Sequence, residues 1–161
     1  MQIEPKMDMG HWEFFKEFNT DEWFGFIYRI VEINTGREYL GKKQFYSHLT
    51  KAVPGKKNRK HYKKESNWKK YTGSCAELNK AIEANGKENY QFIIESLHKS
   101  KGSLHYREAE VHFKEEVLRV RMATGVRKFY NGQISAVKFI PPVELPEELE
   151  MRRIQNGKTG Q

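Results

Sequence analysis

The chain has one cysteine, Cys75, in 161 residues, too few for an internal disulfide or a multi-cysteine zinc site. That count fits a reducing compartment. No apolar run approaches the roughly 18 residues of a membrane-spanning helix, so no membrane partner is expected. The opening stretch, MQIEPKMDMGHWEFF, lacks the basic-then-apolar pattern of a secretion signal. A soluble, cytoplasmic protein is the expectation. None of the histidines His11, His48, His61, His98, His105 and His112 pairs with a cysteine at zinc-ligand spacing. The glycine-rich GxxxxGK[ST] phosphate loop is also missing, and there is no internal repeat. Acidic residues are scarce in one place above all. Between Lys42 and Lys70 stand eleven lysines and arginines and a single carboxylate, Glu65. The rest of the chain holds 18 basic and 20 acidic residues, so the whole excess of positive charge, +8, belongs to that segment. Solvated charge runs usually mix signs. This one points to a polyanionic partner.

Aromatic residues make up 13% of the chain, enough to build the core of one domain with tails. Residues 1–24 alternate acidic and aromatic, with Trp12, Phe14, Phe15, Phe18 and Trp23. They read as a partly helical extension that packs its rings on the domain; bases stacking on those rings is the other reading. Phe26 to Ile33, the turn Asn34-Thr35-Gly36 and the return from Arg37 to Lys43 predict a β-hairpin. Residues 44–67 contain Pro54-Gly55 and little periodicity, and are expected as a long basic loop. Ser74, with Glu77 three residues on, predicts a capping box for a helix through Ala76 to Ala84. A strand is expected over Asn89 to Leu97. A long helix is expected from Ser103 to a stop at Thr124-Gly125. Beyond Pro141-Pro142, residues 141–161 form an acidic then basic tail, expected to hold one short peripheral helix and a disordered end.

Within the hairpin, Tyr28 and Tyr39 lie eleven positions apart and can share a face of the sheet, depending on register. Core packing is the ordinary role of such tyrosines. A phenol titrates near pH 10; beside lysines or a metal its pKa can fall and the phenolate can accept a proton from water. Cleaving a phosphodiester requires an activated water and charge to stabilise the transition state, and a divalent cation helps with both. The long helix offers Glu108, Glu110, Glu115 and Glu116, with Glu108 nearer its apolar stripe. Any one of them could equally be a solvated helix glutamate.

The triplets Phe26-Ile27-Tyr28 and Tyr39-Leu40-Gly41 resemble the paired signature of the GIY-YIG nuclease superfamily. The segments KKESNWKKYTGS, GKENYQFIIESL, YREAEVHFKEEVL and FYNGQIS extend the likeness to Seg-type free-standing homing endonucleases of tailed phages. The resemblance runs from about Gly25 to Ile134. It implies an α+β fold: a small GIY-YIG-type domain, 25–140, with a three-stranded antiparallel sheet flanked by helices and with N- and C-terminal extensions. It also implies hydrolysis of double-stranded DNA with one divalent metal, Mg2+ or Mn2+. Carried onto this chain, Tyr28 is the general base and Tyr39 positions water or phosphate. Glu108 holds the metal, with Glu110 as its rival. Asn131 matches a polar residue that buttresses the site.

One position departs from the family pattern. The phosphate-contacting arginine of the first helix would fall near Leu49-Thr50-Lys51, where no arginine stands. Lys43 is the first candidate substitute, followed by Lys42, Arg59 and His61. Lysine supplies charge without the bidentate fork of arginine. DNA contacts are expected from Lys42, Lys56, Lys57, Arg59, Lys60, His61, Lys63, Lys64, Lys69 and Lys70. Such contacts hold the phosphate backbone without reading sequence. The leading expectation is a metal-dependent DNA endonuclease, a nickase or stepwise double-strand cutter, encoded by a phage or mobile element and serving homing or competition between elements. It would act as a monomer or a DNA-induced dimer, with no obligate protein partner. The alternative is a catalytically inactive DNA- or RNA-binding protein on the same scaffold.

Overall fold

The computed structural model describes residues 6–159, with side chains as far as Arg152 in the C-terminal helix. Strands β1 (Gly25–Glu32) and β2 (Glu38–Gln44) form the expected antiparallel hairpin. β3 (Tyr46–Lys51) and β4 (Lys60–Glu65) form a second one. Helix α1 (Ala76–Asn85), strand β5 (Tyr90–His98), and helices α2 (Lys101–Lys114) and α3 (Pro146–Thr159) complete the chain. The main sheet has the order β2-β1-β5 and is antiparallel throughout. This is the α+β architecture that the resemblance implied.

β1 is the middle strand and is buried on both faces. Its residues Phe26, Ile27, Tyr28 and Ile30 are all at most 1% exposed. Alternation then decides what each residue meets. Phe26, Tyr28 and Ile30 face an aromatic core with Trp12, Phe45, Trp68 and Phe92. Ile27 faces Leu104 and Val111 of α2. On that same side Arg29 donates to Glu95, to Glu38 at 3.2 Å and to Glu115 at 2.5 Å. Glu95 is available because the pairing shifts between Ile27 and Tyr28, leaving it as the extra residue of a β-bulge beside Tyr28.

Five expectations change. Residues 44–67 are not a long loop; the β3–β4 hairpin occupies most of them. The sequence hides these strands because β4 is exposed at every position, so no burial alternation marks it. Ser74 does not cap α1: Cys75 stands at the cap without a side-chain bond, while the Ser74 hydroxyl bonds Tyr39. The long helix stops at Lys114, ten residues early. Glu116 takes φ +50°, and the turn drives Val117 to full burial against Leu40 and Phe129. The C-terminal helix is neither short nor peripheral. It has 14 residues and docks on β5, where Met151 is 1% exposed and Glu148 accepts from Lys99 N at 2.8 Å and from Ser103 Oγ at 3.1 Å. Finally, the N-terminal extension is extended chain with one 3-10 turn, Thr20–Glu22, although Trp12 and Trp23 do pack into the core. The expected disordered end, at residues 160–161, lies outside the described residues.

Candidate active site

The register sets the site. Tyr28 pairs with Gly41 and Ile30 pairs with Tyr39, so the two tyrosines are diagonal neighbours on one face of the sheet. Their ring centroids are 6.1 Å apart. The Tyr28 ring lies across Gly41, where an added Cβ would come within 2.5 Å of Tyr28 Oη. No side chain larger than a hydrogen fits beneath the phenol. Gly73, at φ +88°, closes the pocket from the other side, its missing Cβ falling 3.1 Å from Tyr39 and 3.2 Å from Tyr28 Oη. Tyr71, two residues earlier, packs edge-on against Tyr28 and is hydrogen-bonded to it. Lys43 lies on the same face of β2 as Tyr39, and its Nζ sits 4.1 Å from the Tyr71 ring centre.

Burial governs the electrostatics. Tyr28 is 1% exposed. Its pKa is held well above the ordinary phenol value, first by burial and then by Tyr39, Tyr71 and Glu108. Tyr39 is raised for the same first reason, with the Ser74 hydrogen bond pulling the other way. Burial also lowers the Lys43 pKa. Both phenols are therefore protonated at neutral pH in this arrangement, the opposite direction from the lowering that lysines or a metal can bring.

Glu108, on the inward face of α2, is 9% exposed, and its charge is felt by both tyrosines. Lys42 Nζ stands 3.6 Å from Glu108 Oε1 and 2.8 Å from His105 Nδ1, one turn away on the same helix. Glu110 points elsewhere, into an ion-pair cluster with Arg107 and Arg152 that keeps its carboxyl ionised. Of the two rivals, it is Glu108 whose charge acts on both tyrosines. Its donor chemistry suits a hard divalent cation, which takes oxygen ligands and often one carboxylate with water completing the shell. The ammonium of Lys42 pairs with the Glu108 carboxylate and would compete with such a cation. Among the described residues no group of three or more His, Cys, Asp or Glu converges, which does not fit a closed zinc site.

Asn131 does not reach the phenols. It is buried and clamps β2 from behind, accepting from Leu40 N at 3.0 Å and donating to Leu40 O at 2.7 Å. His112 Nε2 donates to the same carbonyl at 2.8 Å. The residue between Tyr39 and Gly41 is thus fixed by two side chains from distant parts of the chain.

The expected DNA-binding cations divide by location. Lys43 shares the tyrosine face, while Lys42 alternates to the other side of β2 and meets Glu108 and His105. Lys69 and Lys70 line an open groove of about 480 Å³ with His11 and Lys87. Within it Lys69 pairs with Asp8 at 3.4 Å. Lys60, His61, Lys63 and Lys64 lie along β4, and Lys56 and Lys57 at the exposed hairpin tip. Arg59 Nε donates to Thr50 Oγ1 at 3.0 Å, beside His61, which pairs with Thr50 across the ribbon. Both candidates thus belong to the second hairpin and not to the tyrosine face.

Sequence reasoning missed Tyr71, Gly73, His105 and His112, and misassigned Ser74. The histidines carried a readable signal, lying three residues before and four after Glu108 on one helix. The other three had none, since they reach the tyrosines only through the fold.

The chain matches the family model described as "Putative endonuclease segE, GIY-YIG domain" over residues 10–134. That match takes in more than three quarters of the 161 residues and includes Trp12 and the aromatic extension. No curated protein and no solved structure matches significantly.

Proposed function

The chain belongs to the SegE GIY-YIG endonuclease domain family, and from that premise we propose that it hydrolyses DNA phosphodiesters with one divalent cation. The observation that carries this reading is the pair of phenols 6.1 Å apart on one sheet face, with the buried Glu108 acting on both. Tyr28 is the group that takes the proton from the attacking water. Tyr39, hydrogen-bonded by Ser74, orients that water or the phosphate. Lys43 brings positive charge to the same face in place of the family's helix arginine. Glu108 holds the cation, Mg2+ or Mn2+. When bound, it would supply Lewis-acid charge that stabilises the leaving oxygen and lowers the pKa of water and phenols near it. Asn131 and His112 act through Leu40, fixing the strand that carries Tyr39.

Burial of Tyr28 has a purpose in this scheme. A phenol that stays neutral until cation and substrate arrive leaves the enzyme inert without DNA. A single site cuts one strand per encounter, so nicking precedes any double-strand break. Encoding by a phage or mobile element, and a role in homing or competition, follow from the Seg-type likeness. A cytoplasmic location fits the same reading.

A second reading has its own support. Lys42 neutralises Glu108 and burial opposes the Tyr28 phenolate, as expected of a scaffold that binds DNA without cutting it. Supercoiled plasmid with Mg2+ separates the two. Open-circle or linear product, lost with EDTA and in Tyr28→Phe and Glu108→Ala, is the expected result. Salt-sensitive binding with no cleavage of plasmid or phage genomic DNA would favour the silent binder.

A further inference from the structure

The β3–β4 ribbon has two unlike faces. Its register pairs Tyr46 with Glu65, His48 with Lys63 and Thr50 with His61, and these residues share one face. That face is anchored at its root. Tyr46 Oη donates to Asp21 Oδ1 at 2.8 Å, Lys63 Nζ sits 3.4 Å from the same oxygen and 4.3 Å from the Tyr46 ring centre, and His48 stacks on Phe24. The opposite face carries Ser47, Leu49, Lys51, Lys60, Tyr62 and Lys64. There Leu49 and Tyr62 pair directly across the strands and are 38% and 42% exposed. Among the described residues, none of Lys51, Lys60 and Lys64 has an ion pair, a side-chain hydrogen bond or a ring contact.

An apolar pair ringed by three unpartnered ammonium groups suits a surface that is negative at its edges and apolar within. A duplex groove has that chemistry, with phosphates on both walls and base edges with thymine methyls on the floor. The major groove is wide enough for a two-stranded β-ribbon. We infer that the Leu49–Tyr62 face of the ribbon enters the major groove of duplex DNA, with Lys51, Lys60 and Lys64 on the groove walls. Lys63, turned to Asp21 and Tyr46, is a brace of the ribbon and not a DNA contact.

The ribbon is held rigidly to the candidate active site. β2 runs into β3 through the fully buried Phe45, whose carbonyl accepts from Ser66 N at 2.8 Å, and Ser66 Oγ donates to Gln44 O at 2.7 Å. Six residues of strand extend about 20 Å, some six base pairs at about 3.4 Å each. Groove contacts therefore lie within about half a helical turn of the cut bond. The inference rests on the nuclease reading for its DNA partner, but its test does not depend on cleavage.

The test is binding of the full chain to a mixed-sequence 40-base-pair duplex in EDTA, read by fluorescence anisotropy across salt concentrations. Replacing Lys51, Lys60 and Lys64 together by alanine should flatten the plot of log affinity against log salt by about 2.7, at about 0.9 per phosphate contact. Lys63→Ala should leave the slope unchanged. The Leu49→Ala/Tyr62→Ala double variant should keep the slope yet bind several-fold more weakly. Methyl green, a major-groove ligand, should compete, and netropsin, a minor-groove ligand, should not. An unchanged slope in the triple variant, or competition by netropsin alone, would overturn the inference. Circular dichroism of each variant guards against misfolding, and all the residues changed are exposed or partly exposed. No plasmid cleavage by the unaltered chain, with these binding results intact, would sink the nuclease reading and leave the ribbon assignment standing; normal plasmid cleavage by that chain with an unaltered slope in the triple variant would do the reverse.

Discussion

Strands β2 and β3 are separated by one residue, Phe45, yet they obey different physics. β2 lies in a sheet backed by two cores, and its central residues Leu40 and Gly41 are buried. Leu40, next to Tyr39, is held through its backbone by Asn131 and His112. β3 and its partner β4 form a ribbon whose outer residues are exposed and whose lysines, Lys63 apart, face water. In the sheet, position is enforced by packing, so small errors in size or polarity are felt. On the ribbon, charge matters and exact position matters less. The proposed site of chemistry sits where geometry is over-determined, and the proposed DNA surface sits where side chains can adapt.

Changes on the two sides should diverge most in catalysis. Tyr28→Phe removes only a hydroxyl, and plasmid cleavage should fall about 10²- to 10⁴-fold, the usual range for a positioned proton acceptor. DNA affinity in EDTA should stay within about twofold, whereas the triple lysine variant of the ribbon should do the opposite. A Tyr28→Phe enzyme that cuts normally would erase the distinction.

Stability comes next. Gly41→Ala sets a methyl group 2.5 Å from Tyr28 Oη, within the buried sheet. A loss of about 1–3 kcal/mol is expected in urea unfolding, the range for overpacking. Alanine in place of ribbon lysines Lys60 and Lys64 should change stability by no more than about 0.5 kcal/mol. Equal losses on both sides would mean that the ribbon is part of the cooperative core.

Acid should also act on the packed side. His98, buried between Ser96 Oγ at 2.8 Å and Ser103 Oγ at 2.9 Å, has its pKa pushed from 6.5 down to about 3 by burial. Between those values the unfolded chain binds a proton that the folded chain refuses, so unfolding gains on acidification. The contribution is intact above pH 6.5 and is lost as the pH falls toward 3. His98→Asn should flatten the decline of the urea midpoint over that window, and the ribbon variants should leave its slope alone. A slope identical to wild type in His98→Asn would place the titrating group elsewhere.

The smallest effect concerns the boundary between the regions. Lys42 leads out of the sheet toward the ribbon and neutralises Glu108 at 3.6 Å. Lys42→Met should tighten Mg2+ binding several-fold in calorimetry, since the metal no longer competes with an ammonium ion. Unchanged Mg2+ affinity would separate Glu108 from the cation.

Legibility followed periodicity and local chemistry. The β1–β2 hairpin was readable because β-branched and aromatic residues flank a strong turn, and its odd tyrosine spacing allowed the shared face that the register then produced. The ribbon was not. Strands without a buried face carry no alternation, so Tyr46–Lys51 and Lys60–Glu65 read as loop. Ser74 shows a different failure. Its capping pattern was sound as local chemistry, and a tertiary partner, the Tyr39 hydroxyl, outcompeted the helix terminus. Val117 ended α2 for a similar reason, because burial against Leu40 and Phe129 outweighed continued helix.

The family pattern, the charge asymmetry and the phenol pair depend on residue identity and short spacing, and so were present in the amino-acid order alone. It took the folded chain to select the glutamate whose charge reaches the phenols, to leave some lysines unpartnered, and to make Asn131 grip Leu40 from 91 residues away. Those outcomes depend on contacts between distant segments and on burial. A neutral Tyr28, raised by the protein packed around it, belongs to that second group.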